Sequence, residues 1–192
     1  MIIKVCGITC LEDAVLALDN GANALGFNFW SFSPRYVRPE AARRILDELR
    51  RRSPSAQGLS VGVVVGPGDW DCLPTDVVQC HGVESPERIA TRGRRMWFAV
   101  SPDTIDRFAG HEVIIDSSWG RGRVADWDQI AAIRRPYILS GGLTPENVAA
   151  VIRRLHPAGV DVCSGVESRP GRKDPQKLIK FLEEVERANT GE

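Results

Sequence analysis

The chain has 192 residues, with 25 lysines and arginines against 25 aspartates and glutamates, so its formal net charge is zero. That balance leaves no broad basic field for nucleic acid or anionic lipid and points to a small-molecule partner. The length suits one well-buried domain over residues 1–192 and falls short of two ordinary ones, while Lys4, Glu12, Asp13 and Asp19 interrupt the N-terminal apolar pattern too early for a leader or a membrane span, which sets the expectation of a cytoplasmic protein.

Short β-branched runs alternate with longer amphipathic stretches along the whole chain. Ile2 to Cys6 reads as a strand followed by a helix over Glu12 to Asn20, and Ala24 to Phe27 as a strand followed by a helix over Pro39 to Arg52. Leu59 to Val65 is a strand with no clear helix after it; Val77 to Cys80 is followed by a helix over Pro86 to Arg92, and Met96 to Val100 by one near Pro102 to Ala109. Glu112 to Ile115 precedes a helix near Trp127 to Arg135, Tyr137 to Leu139 precedes Pro145 to Leu155, and Val160 to Cys163 precedes Pro175 to Ala188. Thr144-Pro145-Glu146 places a proline where a first helical turn accepts one. Arginine pairs such as Arg43-Arg44 and Arg153-Arg154 fall on expected outer helix faces.

Eight short apolar strands and about seven helices fit a closed (β/α)8 barrel better than an open doubly wound sheet. The turn after the first strand, Gly7-Ile8-Thr9, is also not the G-x-G-x-x-G of a dinucleotide site. Such barrels usually run to about 250 residues, with ~200 near the low end, so this one is compact. The deficit falls between Val65 and Val77, where prolines and glycines predict that the helix after the third strand is missing or reduced to one turn. Either Trp70 of that segment or a second subunit is expected to cover the strand face left bare, which leaves monomer and homodimer both open.

Two glycine turns follow the last two presumed strands: Ser140-Gly141-Gly142-Leu143 and Ser164-Gly165-Val166-Glu167. Consecutive turns of this kind bring backbone N–H groups and helix starts together, which suits a phosphate group. Simple turn chemistry is the plainer alternative. The cysteines, Cys6, Cys10, Cys72, Cys80 and Cys163, form no C-x-x-C pair and no His–Cys ligand spacing, so no metal and no disulfide framework is expected.

Taken in order, KVCGIT at Lys4 to Thr9, ALGFNFWSFSPRYV at Ala24 to Val37, QCHGVE at Gln79 to Glu84, ADW at Ala125 to Trp127, SGGLTPENV at Ser140 to Val148 and GVDVCSGVES at Gly159 to Ser168 resemble the phosphoribosylanthranilate isomerase family. The resemblance implies a TIM barrel and a cofactor-independent aldose–ketose isomerase of tryptophan biosynthesis. The implied reaction is the Amadori rearrangement of N-(5-phosphoribosyl)anthranilate to 1-(2-carboxyphenylamino)-1-deoxyribulose 5-phosphate by general acid–base catalysis.

It further implies that Cys6 is the general base and Asp126 the general acid. Taken alone, Cys6 could be a small core residue and Asp126 a cap for a helix starting at Trp127, although Asp128 could also serve as cap. Arg35 corresponds to the family's contact with the anthranilate carboxylate. Gly142, Ser164 and Gly165 are the expected phosphate backbones, with Gly141 setting the turn. His81 is either a substrate contact or a structural histidine. Trp30 and Phe32 either shape the aromatic end of the pocket or pack their loop.

The chain departs from the family at Trp119, Arg123 and Ala125, where glycine, lysine and phenylalanine are usual, and at Cys80, where leucine is usual. Two other readings stand beside the isomerase. One is a related aminoaldose-phosphate isomerase that uses paired aspartates, against which Cys6 stands at the first of those positions; the other is a barrel that binds a sugar phosphate without turning it over.

Overall fold

The computed structural model describes residues 1–52, 58–89, 93–116 and 127–190. Eight strands, β1 (Ile2–Val5), β2 (Ala24–Asn28), β3 (Leu59–Val65), β4 (Val77–His81), β5 (Arg95–Val100), β6 (Glu112–Asp116), β7 (Ile138–Ser140) and β8 (Gly159–Val162), pair in chain order and close into a barrel. All pairs are parallel, and closure comes from β1 against β8, with Ile2 opposite Gly159 and Val5 opposite Val162. The (β/α)8 reading of the sequence therefore holds.

Side chains alternate between the two faces of each strand, and both faces are buried, which is why these strands read as nearly continuous apolar runs. Ala24, Val61, Val77, Trp97, Ile114 and Ile138 pack together as the cluster inside the barrel. Phe27, Val64, Val78, Phe98 and Leu139 pack outward against helix residues such as Val148, Ile152, Phe181 and Leu182. Each such side chain removed from water contributes about 1.5–3 kcal/mol. Two residues further along the inward register stand Lys4, Gln79, Ser140 and Asp161, all buried and all polar. The interior is thus an apolar plug with a polar layer towards the C-terminal ends of the strands.

The helices are α1 (Leu11–Asp19), α2 (Pro39–Arg52), α3 (Trp127–Ala131), α4 (Val148–Leu155) and α5 (Pro175–Thr190). Several are shorter than their sequence patterns predict. The stretches after β4 and β5 form only 3₁₀ turns, Pro86–Arg88 and Ile105–Phe108, with residues 90–92 of the first expected helix outside the described residues. Helix α3 stops at Ala131, and α4 begins at Val148, not at Pro145. Asn147 accounts for the second difference: its Oδ1 accepts the Thr144 N–H at 2.9 Å and its Nδ2 donates to the Gly142 carbonyl at 2.9 Å, so residues 145–147 remain a turn. A small hairpin, β9 (Glu167–Arg169) with β10 (Arg172–Lys173), precedes α5 and is not apparent from the sequence pattern.

Residues 66–76 contain no helix, as their glycines and prolines predict. Leu73 is buried and Trp70 packs on the outer core, so this segment supplies its own cover for the flank of β3 and β4. Arg94 fastens it by donating to the carbonyls of Asp71 at 2.8 Å, Leu73 at 3.1 Å and Thr75. Among the described residues no helix is long and apolar enough to cross a membrane.

Candidate active site

A cavity of about 250 Å³ opens at the C-terminal ends of the strands and is lined by residues from several of them, including Cys6, Arg35, His81, Gly142, Asp161 and Ser164. Cys6 follows β1 directly: its N–H donates to the carbonyl of Val162, the last residue of β8, at 2.8 Å, so the backbone ladder with β8 continues one step past β1. The Cys6 thiol is held well below the usual thiol range. The chief cause is a hydrogen bond from Cys163; burial opposes it, and the Lys4 ammonium adds to it.

Lys4 is fully buried, two residues before Cys6 on the same inward face. Its Nζ lies 2.8 Å from Asp161 Oδ1, across the β1–β8 register where the two residues face each other. Asp161 Oδ2 accepts the Ser140 hydroxyl at 2.9 Å. Burial lifts the Asp161 carboxyl to about 6 despite Lys4, while Asp161 and Cys6 keep the lysine protonated against its own desolvation. At neutral pH the layer beneath Cys6 is therefore an ion pair whose positive end faces the sulfur. A charged residue in the middle of IIKV and another in GVDV were the available signals, because strands buried on both faces admit a charge only with a partner.

Arg35 reaches the cavity from the loop after β2. Its Nε lies 3.0 and 3.1 Å from the two Glu167 carboxylate oxygens, and one terminal nitrogen lies 2.7 Å from Oε2. Glu167 is in turn held by Lys173 Nζ at 3.1 Å and by the Gly171 N–H at 3.2 Å. Burial pushes the Glu167 carboxyl up, but Arg35 and Lys173 outweigh it and hold the group below the ordinary range. The guanidinium is thereby braced from behind while it lines the cavity. Glu167 and Lys173 brace the candidate site and were missed by sequence reasoning; the available signal was a pair of opposite charges, Glu167 and Lys173, in a stretch with no amphipathic pattern.

The two glycine turns meet beside this cavity. Gly141 and Gly142 have φ of +95° and +67°, a region that favours glycine. Gly165 is pressed against the other turn: a Cβ there would lie 1.9 Å from the Leu143 carbonyl oxygen. Gly141, Gly142 and Ser164 line the cavity, with Gly165 behind them as the contact that lets the loops approach. Ser164–Val166 is a 3₁₀ turn, not the start of a long helix.

His81 Nε2 and the Gln79 amide are 2.8 Å apart, and burial keeps the imidazole below its ordinary pKa, hence neutral at pH 7. Trp30 lines the cavity, whereas Phe32 is 82% exposed and leans against Trp30 with ring centroids 5.8 Å apart and planes tilted by 53°, so of the two aromatic residues only Trp30 shapes the pocket. Asp126 and the altered stretch from Trp119 to Ala125 lie outside the described residues. Among the described residues, no group of three or more histidine, cysteine or acidic side chains is arranged to hold a metal ion.

A model of the N-(5′-phosphoribosyl)anthranilate (PRA) isomerase family matches residues 3–184 of the chain. The N-(5′-phosphoribosyl)anthranilate isomerase of Pelobacter propionicus is 40% identical over 197 residues, covering 94% of this chain and 93% of that one. The crystal structure of phosphoribosyl anthranilate isomerase from Thermotoga maritima superposes with a TM-score of 0.83 at 36% identity, covering 97% of this chain and 99% of that one. A further phosphoribosyl anthranilate isomerase, solved in complex with reduced 1-(o-carboxyphenylamino)-1-deoxyribulose 5-phosphate, superposes at 0.74 with 34% identity, covering 97% and 99%.

Proposed function

Because the chain belongs to the N-(5′-phosphoribosyl)anthranilate isomerase family, we propose that its reaction is run by Cys6 as general base and Asp126 as general acid. The enzyme isomerises N-(5′-phosphoribosyl)anthranilate to 1-(2-carboxyphenylamino)-1-deoxyribulose 5-phosphate, an aldose–ketose rearrangement within one molecule. Protonation of the furanose oxygen opens the ring to a Schiff base. Removal of the C2′ proton then yields an enolamine, which relaxes to the ketone.

The observation that carries this reading is the environment of Cys6. A thiol is a base only as thiolate, and here a hydrogen bond from Cys163 and a buried lysine cation both favour that form at the strand end where barrel chemistry gathers. Arg35, braced by Glu167, is oriented to take the anthranilate carboxylate in two parallel hydrogen bonds. The Gly141–Gly142 turn and Ser164, drawn together across Gly165, supply the phosphate cradle. His81, neutral and fixed by Gln79, contacts the ribulose chain between these two ends. Asp126 enters through the ADW motif alone.

The cover that Trp70 and Leu73 give to β3 and β4 supports a catalytic unit complete in one chain. Five free cysteines suit the reducing cytoplasm. The test is to generate phosphoribosylanthranilate in situ and follow loss of its fluorescence against spontaneous hydrolysis. Wild type accelerates the decay and Arg35→Gln raises KM at least about tenfold; equal KM for the two proteins would overturn the role given to Arg35.

A further inference from the structure

Cys163 transfers no proton to or from substrate in the acid–base scheme, yet it stands beside the base. The β1–β8 register pairs Val5 with Val162, and the Cys6 N–H bond to the Val162 carbonyl carries that ladder one residue further. Cys6 and Cys163 therefore face each other across neighbouring parallel strands, which run about 4.7–4.9 Å apart. That spacing falls inside the roughly 4.4–6.8 Å that a disulfide spans between Cα atoms. Both side chains line the same cavity; Cys163 is the neighbour that most lowers the Cys6 pKa, and its sulfur also lies 3.8 Å from Glu167 Oε1. All five cysteines are reduced, so the pair is a dithiol at the mouth of the barrel.

We propose that Cys6 and Cys163 form a peroxide-reactive dithiol, in which Cys6 is the attacking sulfur and Cys163 the resolving one, and that closing the disulfide stops the isomerase reversibly. The inference rests on the reading of Cys6 as the catalytic base. The same thiolate that accepts a carbon-bound proton is nucleophilic towards an oxygen–oxygen bond. Hydrogen peroxide is small enough to enter the cavity.

In the first step the Cys6 thiolate attacks one peroxide oxygen. A sulfur–oxygen bond forms, the oxygen–oxygen bond breaks, and the departing hydroxide is protonated to water. Sulfur loses two electrons and peroxide gains them, leaving Cys6 as sulfenic acid. In the second step Cys163 gives up its proton and attacks the Cys6 sulfur. The sulfur–sulfur bond forms as the sulfur–oxygen bond breaks, and the leaving hydroxide takes the Cys163 proton to become a second water.

The surroundings divide the labour between the two sulfurs. Before oxidation Cys163 retains its proton as donor to Cys6, which holds its pKa well above the usual thiol value; burial adds to this, and Lys173 and Arg35 oppose it. Once Cys6 is a neutral sulfenic acid, its negative charge is gone, and Lys173 and Arg35, each paired with Glu167, remain beside the Cys163 sulfur. The other cysteines lack this arrangement. Burial raises Cys80 to about 12 and Cys10 to about 11, and Cys72 is exposed with no described thiol partner.

The experiment treats the full chain with hydrogen peroxide, then divides it between activity assay, dithiothreitol treatment and tryptic mass mapping. Because Cys10 shares a tryptic peptide with Cys6, it is run in a Cys10→Ser background. The expected result is an at least about tenfold loss of activity, its recovery with dithiothreitol, and a peptide linking Cys6 to Cys163. In Cys163→Ser, the same dose adds two oxygens to the Cys6 peptide, and dithiothreitol no longer restores activity, because an unresolved sulfenic acid proceeds to sulfinic acid.

Absence of the linked peptide from inactivated protein, full activity in linked protein, or recovery by Cys163→Ser as complete as in its parent would overturn the proposal. The linked peptide is read in the parent, so poor folding of Cys163→Ser leaves that readout intact. A reduced Cys6→Ser variant that keeps full activity would instead sink the base assignment, whatever the peptide map shows.

Discussion

Lys4 and Asp161 face each other on strands that the barrel buries on both sides, and this pairing decides what each can do. Removing the lysine leaves a buried carboxylate uncompensated, so Lys4→Met is expected to destabilise the fold by about 3–5 kcal/mol in denaturant titration. Removing the neighbouring donor is gentler. With Cys6 in its proposed role as base, kcat/KM is expected to rise with pH through the Cys6 pKa of the free enzyme, which the fold holds low. Cys163→Ala deletes the largest cause of that depression, and the acidic limb of the pH–kcat/KM profile is expected to move to higher pH; an unchanged limb would show that the hydrogen bond does not set it. Glu167 works in the opposite sense to a raised group: its pKa is lowered in the folded state, so its stabilising contribution is present above the ordinary carboxylate value and disappears as pH falls through the depressed one. Glu167→Gln is expected to flatten stability over that acidic window and, by releasing Arg35, to raise KM more than it lowers kcat.

At the scale of elements, the decisive feature is how closely the last two turns approach. Gly165→Ala would place a methyl group 1.9 Å from the Leu143 carbonyl oxygen, so the loops must part. A loss of about 1–3 kcal/mol in thermal or denaturant unfolding is expected, with KM raised for the phosphorylated substrate; unchanged KM would remove the turns from phosphate binding. Much of this level was legible in the sequence. Strand and helix order followed from apolar period, and residues 66–76 were expected to lack a helix because glycine and proline cannot sustain one. The short helices were not legible, because the N-terminal turn of α4 is held by Asn147 side-chain bonds that compete with helical ones, and α3 ends without a glycine or proline to mark it. The β9–β10 hairpin was hidden because it is held by charge, with Glu167 clasping Arg35, Lys173 and the Gly171 N–H, and apolar periodicity is blind to that.

For the whole molecule, closure of the barrel brings together residues that are far apart in the chain: Lys4 with Asp161, Cys6 with Cys163, Arg35 with Glu167. Motifs in the sequence could nominate Cys6, Arg35, His81 and the two glycine turns one by one, and the fold places them at one cavity. What the motifs could not convey is the ion pair beneath Cys6, since only the register of β1 on β8 reveals that Lys4 and Asp161 are partners. If this ion pair and the Cys163 thiol make Cys6 the base of the isomerisation, the pH dependence of kcat/KM must show it. The most direct test compares that dependence for wild type and Cys6→Ser, measured by fluorescence decay of phosphoribosylanthranilate. A wild-type acidic limb well below the ordinary thiol pKa is expected, with a loss of roughly 10²–10⁴-fold in Cys6→Ser. A Cys6→Ser enzyme within a few-fold of wild type across the profile would contradict the assignment.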